Sequence, residues 1–160
     1  MRGNGLMRTG MLTLLAILGL AACATMGARE SLLYERIRVS DPGGIPRSGR
    51  DAIAIVVDDF VANLVADGRV NARFKGIKPA DVPRVKSNIA DQICEASGGP
   101  CSYYGKDMKT AHQGMKITEA EWNATVENLV KALDKHKIPD KEKSELLGLL
   151  SPMKKDIVGP

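Results

Sequence analysis

The stretch KDMKTAHQGMKIT, residues 106–118, holds one of the two histidines in this chain of 160 residues. Imidazole titrates close to neutrality, and in its neutral form it is a common metal ligand. His112 stands between a short amphipathic turn and a glycine, with Met108 one helical turn before it and Gly114 just after. Such a histidine becomes a ligand only where its surroundings supply a metal or cofactor; otherwise it is a surface or packing residue. The second histidine, His136, lies in DKHKIP among charges and reads as a solvated surface residue. Three cysteines complete the reactive set. Cys94 and Cys101 flank the EASGGP turn, and Cys23 follows LAA near the N-terminus.

The first segment reads as a targeting signal and is set aside before the fold. MRGNGLMRTG carries Arg2 and Arg8 and no acid, and the apolar run MLTLLAILGL is too short to span a bilayer comfortably. LAAC then puts small residues directly before a cysteine. These parts, in this order, resemble the lipobox of bacterial lipoprotein signal peptides; the alternative is an uncleaved anchor. The resemblance implies that residues 1–22 are removed, that Cys23 is acylated, that 23–30 form a membrane tether and that 31–160 form the domain. Ala24 after the cysteine implies the outer membrane of a bacterial cell envelope, facing the periplasm. Losing Arg2 and Arg8 takes the formal charge from +4 to +2. No stripe of Lys and Arg with interleaved aromatics suggests a nucleic-acid partner. One domain of this length can bury a real core.

The elements that must position His112 read as helices. SLLYERIR predicts a short helix with Ser31 as N-cap, broken by VSDPGGIPRSG with its two prolines and three glycines. A helix over about 50–66 carries Ile53, Val56, Val57, Phe60, Val61 and Leu64 on one stripe, and another over about 81–96 carries Val82, Val85, Ile89 and Ile93. Thr118 and Glu121 form a capping box that opens a long helix bearing Trp122, Val126, Leu129, Val130 and Leu133. The last helix starts near residue 140, buries Leu146, Leu147, Leu150 and Met153, and should kink at Pro152. Aromatic residues make up only 4% of the chain, which suits a core completed by a bulky apolar cofactor.

At this point a family resemblance enters. SLLYERI, VVDDFVANLVAD, RFKGI, GGPCSYYGKDMKTAHQGMKITEAEW and LVKALDKHKIPDKEKSELLGLLSPMKKDIV resemble the group I truncated haemoglobins over about residues 31–158. The most specific part is 98–122: a glycine pair, a tyrosine-containing loop, G-x-x-M-K-x-x-H-x-G, then I-T opening a long helix. The resemblance implies an all-α, two-over-two helical sandwich around haem b. It makes His112 the proximal iron ligand, a neutral imidazole whose other N–H is held by an acceptor. It carries haem contact onto Phe60, Phe74, Met108, Ile117 and Trp122, and it aligns the family's loop tyrosine with Tyr103 rather than Tyr104. Lys86 or Lys109 could pair with the propionates, unless they are simply solvated.

On the distal side the chain departs from the family. Many members place a tyrosine after the phenylalanine of the second helix, where this chain has Val61, and the inward positions of the third helix align with Val85 and Ile89. The resulting ligand pocket is Phe60, Val61, Val85, Ile89 and Ile93, without a hydrogen-bond donor. Alternatively the longer loop GIKPADVPRVK shifts the register and brings in Lys86, Asn88, Gln92 or Tyr34. Export to an oxidising compartment suggests a Cys94–Cys101 disulfide that clips the third helix to the loop before His112. The spacing does not match CxxCH, so covalent haem attachment is not expected. A metal site of Cys94, Cys101 and His112 lacks a fourth ligand. The function implied is reversible binding of a diatomic gas (oxygen, carbon monoxide or nitric oxide) by a lipid-anchored globin, with no reductase identifiable. The alternatives are a haem enzyme acting on nitric oxide or peroxide, which calls for polar distal groups, and a haem-free globin fold serving as an interaction module.

Overall fold

Helix α2 (Gly49–Ala66) carries the centre of the core in the computed structural model, which describes residues 31–159. The signal peptide, Cys23 and tether expected over 1–30 lie outside the described residues. Along α2 the buried positions include the adjacent pairs Ala52/Ile53, Val56/Val57 and Phe60/Val61. Neighbouring residues on a helix point about 100° apart, so these pairs widen the apolar stripe to two faces. The reason is packing: α2 lies against α3 (Val82–Ala96) and also against α5 (Glu119–Lys135).

Before α2, the helix α1 is a single turn, Leu33–Arg36. It is capped at Leu32, whose N–H donates to Glu35 Oε2 at 3.2 Å, rather than at Ser31. The VSDPGGIPRSG break then forms an antiparallel hairpin of β1 (Arg38–Ser40) and β2 (Pro46–Ser48), which the helical reading did not contain. Asp41 organises its turn. Oδ1 accepts the N–H groups of Gly43 and Ile45, both at 2.9 Å, and Oδ2 takes Arg47 Nε at 3.0 Å and Nη2 at 2.8 Å. The Arg47 hydrogen bond, with those N–H groups, holds the Asp41 carboxyl below its usual range. Strands of three residues are too short for alternation to show in the sequence.

The second half follows its reading closely. Thr118 Oγ1 accepts the Glu121 N–H at 3.2 Å and Glu121 Oε2 accepts the Thr118 N–H at 2.8 Å, the capping box that starts α5. Helix α6 (Asp140–Leu150) ends at a 3₁₀ turn, Ser151–Met153, and α7 (Lys154–Ile157) follows. Pro152 therefore breaks the last helix where a kink was expected, because it supplies no N–H to an α-helical ladder. The chain then returns to the start of α5, where the Gly159 N–H donates to the Ile117 carbonyl at 3.1 Å.

Polar locks join the layers. Buried Asn128 of α5 donates to Asp67 Oδ2 at 2.7 Å and to the Ala124 carbonyl at 2.9 Å, and its own carbonyl accepts Asn63 Nδ2 at 3.2 Å. Among the described residues no buried side-chain nitrogen or oxygen lacks a partner, which is what a unique core requires. His136 was expected to be solvated. Its side chain is only 12% exposed, and Nε2 lies 2.6 Å from Asp59 Oδ2, closing the C-terminus of α5 onto α2. Burial pushes the Asp59 carboxyl up, but the hydrogen bonds from Lys135 and His136 outweigh it and leave Asp59 below the usual carboxylate range.

Candidate functional site

Helix α4 (Met108–His112) is five residues long, and none of them is buried. Asp107 caps it, Oδ1 accepting the Thr110 N–H at 2.9 Å, and α4 rests against α7. His112 Nδ1 lies 2.8 Å from the Met108 carbonyl oxygen. A carbonyl only accepts, so Nδ1 is the donor, and in the neutral ring the lone pair is on Nε2. That nitrogen makes no hydrogen bond among the described residues. Gly114 (φ 77°) and Lys116 (φ 49°) then turn the chain towards α5 through the left-handed region.

Arg73 holds this turn. Its Nη1 donates to the Met115 carbonyl at 2.6 Å, and its Nε and Nη2 reach the two Glu121 oxygens at 2.6 and 3.0 Å. The Arg73 hydrogen bonds, aided by the Thr118 N–H, hold the Glu121 carboxyl down to about 2. Sequence reasoning missed Arg73. It stands directly before the phenylalanine of RFKGI, but its partners lie more than forty positions on, beyond the reach of any local pattern.

His112 lines a cavity of about 940 Å³, near the upper end of the roughly 300–1,000 Å³ range of cofactor pockets. Phe60, Phe74, Met108, Ile117 and Trp122, the residues to which the resemblance assigned cofactor contact, all line it with His112. Leu147, Leu150 and Met153 close it from the last helices. Among the described residues no three His, Cys, Asp or Glu side chains converge as a bare-ion site. One imidazole with a free Nε2, facing a large apolar chamber, fits a planar apolar cofactor that brings its own equatorial ligands.

The distal wall differs from its reading. Val85, Ile89 and Ile93 line the cavity, but Val61 does not. Phe60 and Leu64, one helical turn apart, face the chamber, and Val61, rotated about 100° from Phe60, packs in the core at 6% exposure. Nor is the wall free of donors: Asn88 and Gln92, four apart on α3, both line it. Gln92 Nε2 makes only a 3.6 Å contact to Met153 Sδ, and the Asn88 amide has no hydrogen-bond partner among the described residues. Lys86 is turned away, paired with Asp58 at 2.9 Å, and Lys109 is exposed outside the lining; besides Arg73, the cations that line the chamber are Lys106 and Arg84, the latter paired with Asp81 at 3.2 Å. Tyr34 packs elsewhere, beside Gly49 and Gly99. Tyr103 donates to the Lys106 carbonyl at 2.7 Å, whereas Tyr104, 93% exposed, stands at the mouth.

Cys94 and Cys101 are joined, Sγ to Sγ, at 1.95 Å. The bond ties the end of α3 to the loop that runs through Tyr103 and Lys106 into α4, so two walls of the chamber are covalently linked. Gly99 is required inside this ring, because a Cβ there would lie 2.6 Å from Cys94 Sγ and 2.4 Å from Tyr34 Cδ2.

Comparison with known proteins follows the same outline. A family model described as bacterial-like globin matches residues 48–158. The group 1 truncated hemoglobin GlbN of Mycolicibacterium paratuberculosis is 31% identical over 127 residues, covering 78% of this chain and 91% of that protein. The group 1 truncated hemoglobin of Tetrahymena pyriformis is 30% identical over 111 residues, 69% of this chain and 89% of that one. The crystal structure of the Tetrahymena pyriformis truncated hemoglobin in its Fe(III) form superposes with a TM-score of 0.68 at 28% identity, covering 81% of this chain and all of that one.

Proposed function

The chain belongs to the bacterial-like globin family, and from that membership we propose that it holds haem b in the chamber and reversibly binds a diatomic gas there. The observation that carries this reading is the His112 ring: Nδ1 is committed to the Met108 carbonyl at 2.8 Å, which orients Nε2 as a neutral ligand. When bound, haem would supply an iron that His112 could hold and that could bind oxygen, carbon monoxide or nitric oxide. The chain supplies the rest. Phe60, Phe74 and Trp122 would pack the ring, Met108 and Ile117 would support it beside His112, and Arg84 and Lys106 at the rim would suit its carboxylates. Val85, Ile89 and Ile93 exclude water from the ligand side, where the Asn88 and Gln92 amides offer donors.

The experiment is the absorption spectrum of the purified holoprotein in ferric, ferrous and ferrous–CO forms. His112→Ala should lose the native five-coordinate ferrous spectrum, and His136→Ala should keep it. Identical behaviour of the two variants would sink the assignment. Asn88 and Gln92 also give a foothold to a second reading, a haem enzyme that removes nitric oxide or peroxide, because such chemistry draws on polar distal groups. Turnover with oxygen and nitric oxide separates the two. We further propose that residues 1–22 are removed, that Cys23 carries lipid at the outer membrane, and that 31–160 is the globin domain. Cys23→Ser should then abolish acyl labelling, and recovery of unacylated, soluble mature protein from its native host would refute it.

A further inference from the structure

Charge pairing is uneven over this chain. Away from the chamber mouth many basic groups are matched: Lys86 with Asp58 at 2.9 Å, Lys135 with Asp59 at 2.6 Å, Lys154 with Glu119 at 2.5 Å, and Arg69 with Asp67 and Glu127 at 2.8 and 2.7 Å, whereas Arg38, Lys131, Lys137 and Lys155 stand scattered without an ion pair among the described residues. Beside the chamber lining the unpaired ones cluster. Lys75, Lys78, Lys106, Lys109 and Lys116 are all exposed, and none has an ion-pair partner among the described residues. Lys106 lines the chamber, and each of the others is the immediate neighbour of a lining residue: Phe74, Ile77, Met108 or Met115. Arg84 adds a sixth cation, 67% exposed and touching only Asp81 at 3.2 Å. Of the other acids nearby, Asp107 caps α4, and Glu121, which lines the chamber, is held by Arg73.

A haem has only two propionates, so it would leave most of this ring unneutralised. We propose that the basic mouth is the docking surface for a protein with an acidic face that delivers one electron to the cofactor, an inference that rests on the haem reading above. One electron leaves the partner's reduced flavin or iron–sulfur centre, which is oxidised by one, and the iron passes from ferric to ferrous; no atom is transferred. Unpaired cations around a low-dielectric opening focus the field there and raise encounter rates with an oppositely charged partner by roughly 10–10³, steeply reduced by salt. A protein fits better than a membrane surface. Interfacial insertion needs apolar side chains, and of the large exposed apolar residues Leu32, Ile45, Val65, Tyr104 and Leu149 only Tyr104, the interface-favouring type, is at the mouth.

The probe is reduced flavodoxin, an acidic one-electron donor, mixed with the ferric holoprotein in stopped flow, with neutral reduced lumiflavin as the comparison. Lys75→Glu with Lys78→Glu should lower the flavodoxin rate constant at low salt at least about ten-fold and flatten its salt dependence. The lumiflavin rate and the Soret band should not change, and calorimetric binding of flavodoxin should weaken in parallel. Lys131→Glu with Lys137→Glu, the same charge change near and just beyond the far end of α5, should leave all four unaltered. An equal loss in both double variants, or a wild-type flavodoxin rate in the first, overturns the proposal. Lysine-dependent binding to phosphatidylglycerol vesicles with unaltered flavodoxin reduction would assign the face to a membrane and overturn it too. A purified protein without a Soret band would count against the haem reading instead, while flavodoxin calorimetry would still test the docking face.

Discussion

Which nitrogen of a histidine is already committed decides what the other can do. In His112 the Met108 carbonyl fixes Nδ1, so ring orientation and basicity are set by the backbone of its own short helix. Replacing a ligand-side donor should be milder than losing His112. A neutral hydrogen bond contributes about 0.5–1.5 kcal/mol net, a factor of roughly 2–10 in an equilibrium constant. Asn88→Leu and Gln92→Leu should therefore speed oxygen dissociation, measured by stopped flow, by about that factor for whichever amide reaches the ligand. Unchanged rates in both would put the amides out of reach. Val61→Tyr is a different experiment. Val61 is 6% exposed in the core and does not line the chamber, so a phenol there overpacks at a cost of about 1–3 kcal/mol. The denaturation midpoint should fall; unaltered stability with slower oxygen release would mean that the chamber opens to Val61. The placing of His112 and Phe74 on one chamber was legible through the family resemblance of the local motifs around them, and the joined Cys94 and Cys101 through their closeness in sequence and the expectation of export. Val61 and His136 were not, since one depends on the rotation of α2 and the other on which helix Asp59 meets.

Among the elements, the turn from α4 to α5 is held chiefly by one ion pair. Glu121 titrates at about 2 in the folded chain, against an ordinary 4.5. A depressed carboxylate stabilises the fold fully above its unfolded pKa, and that contribution fades as pH falls from about 4.5 towards 2. Thermal midpoints should fall through this window, and Glu121→Gln should be less stable at neutral pH but lose less on acidification. Parallel curves for the two proteins would refute the role. The Cys94–Cys101 ring closes eight residues, separation 7, for which chain entropy gives a stabilisation of about 2.5 kcal/mol. Denaturation with and without dithiothreitol should show a lower midpoint for the reduced chain; coincident curves would deny the bond a part in stability. Helix α5 was readable to its capping residue because Thr118 and Glu121 are three apart. The hairpin was not, since its strands are too short to show a period and its turn depends on Asp41 meeting Arg47.

Across the whole molecule, the two-over-two sandwich could be read from the family pattern, but the distribution of charge could not. Net charge is a sum, whereas the basic mouth arises because pairing partners lie on other helices. At the N-terminal side, α1 is fixed to α6 by Arg36, which pairs with Glu142 at 3.2 Å and also with Glu145. The remaining consequence lies in α4. A five-residue helix that buries none of its residues lacks the length and the packing to be stable alone. Beyond the Asp107 cap and the contact with α7, its order would come from whatever His112 and Met108 grip, so filling the chamber and folding this wall should be coupled. Hydrogen exchange makes that measurable. The Ala111 amide, bonded to the Asp107 carbonyl at 2.8 Å, should exchange near the unprotected rate in apoprotein and slow markedly on haem addition. Amides in the middle of α2 should be protected in both. The apo form would then be a finished scaffold with one wall still exchanging with water, and haem capture would proceed by closing that wall.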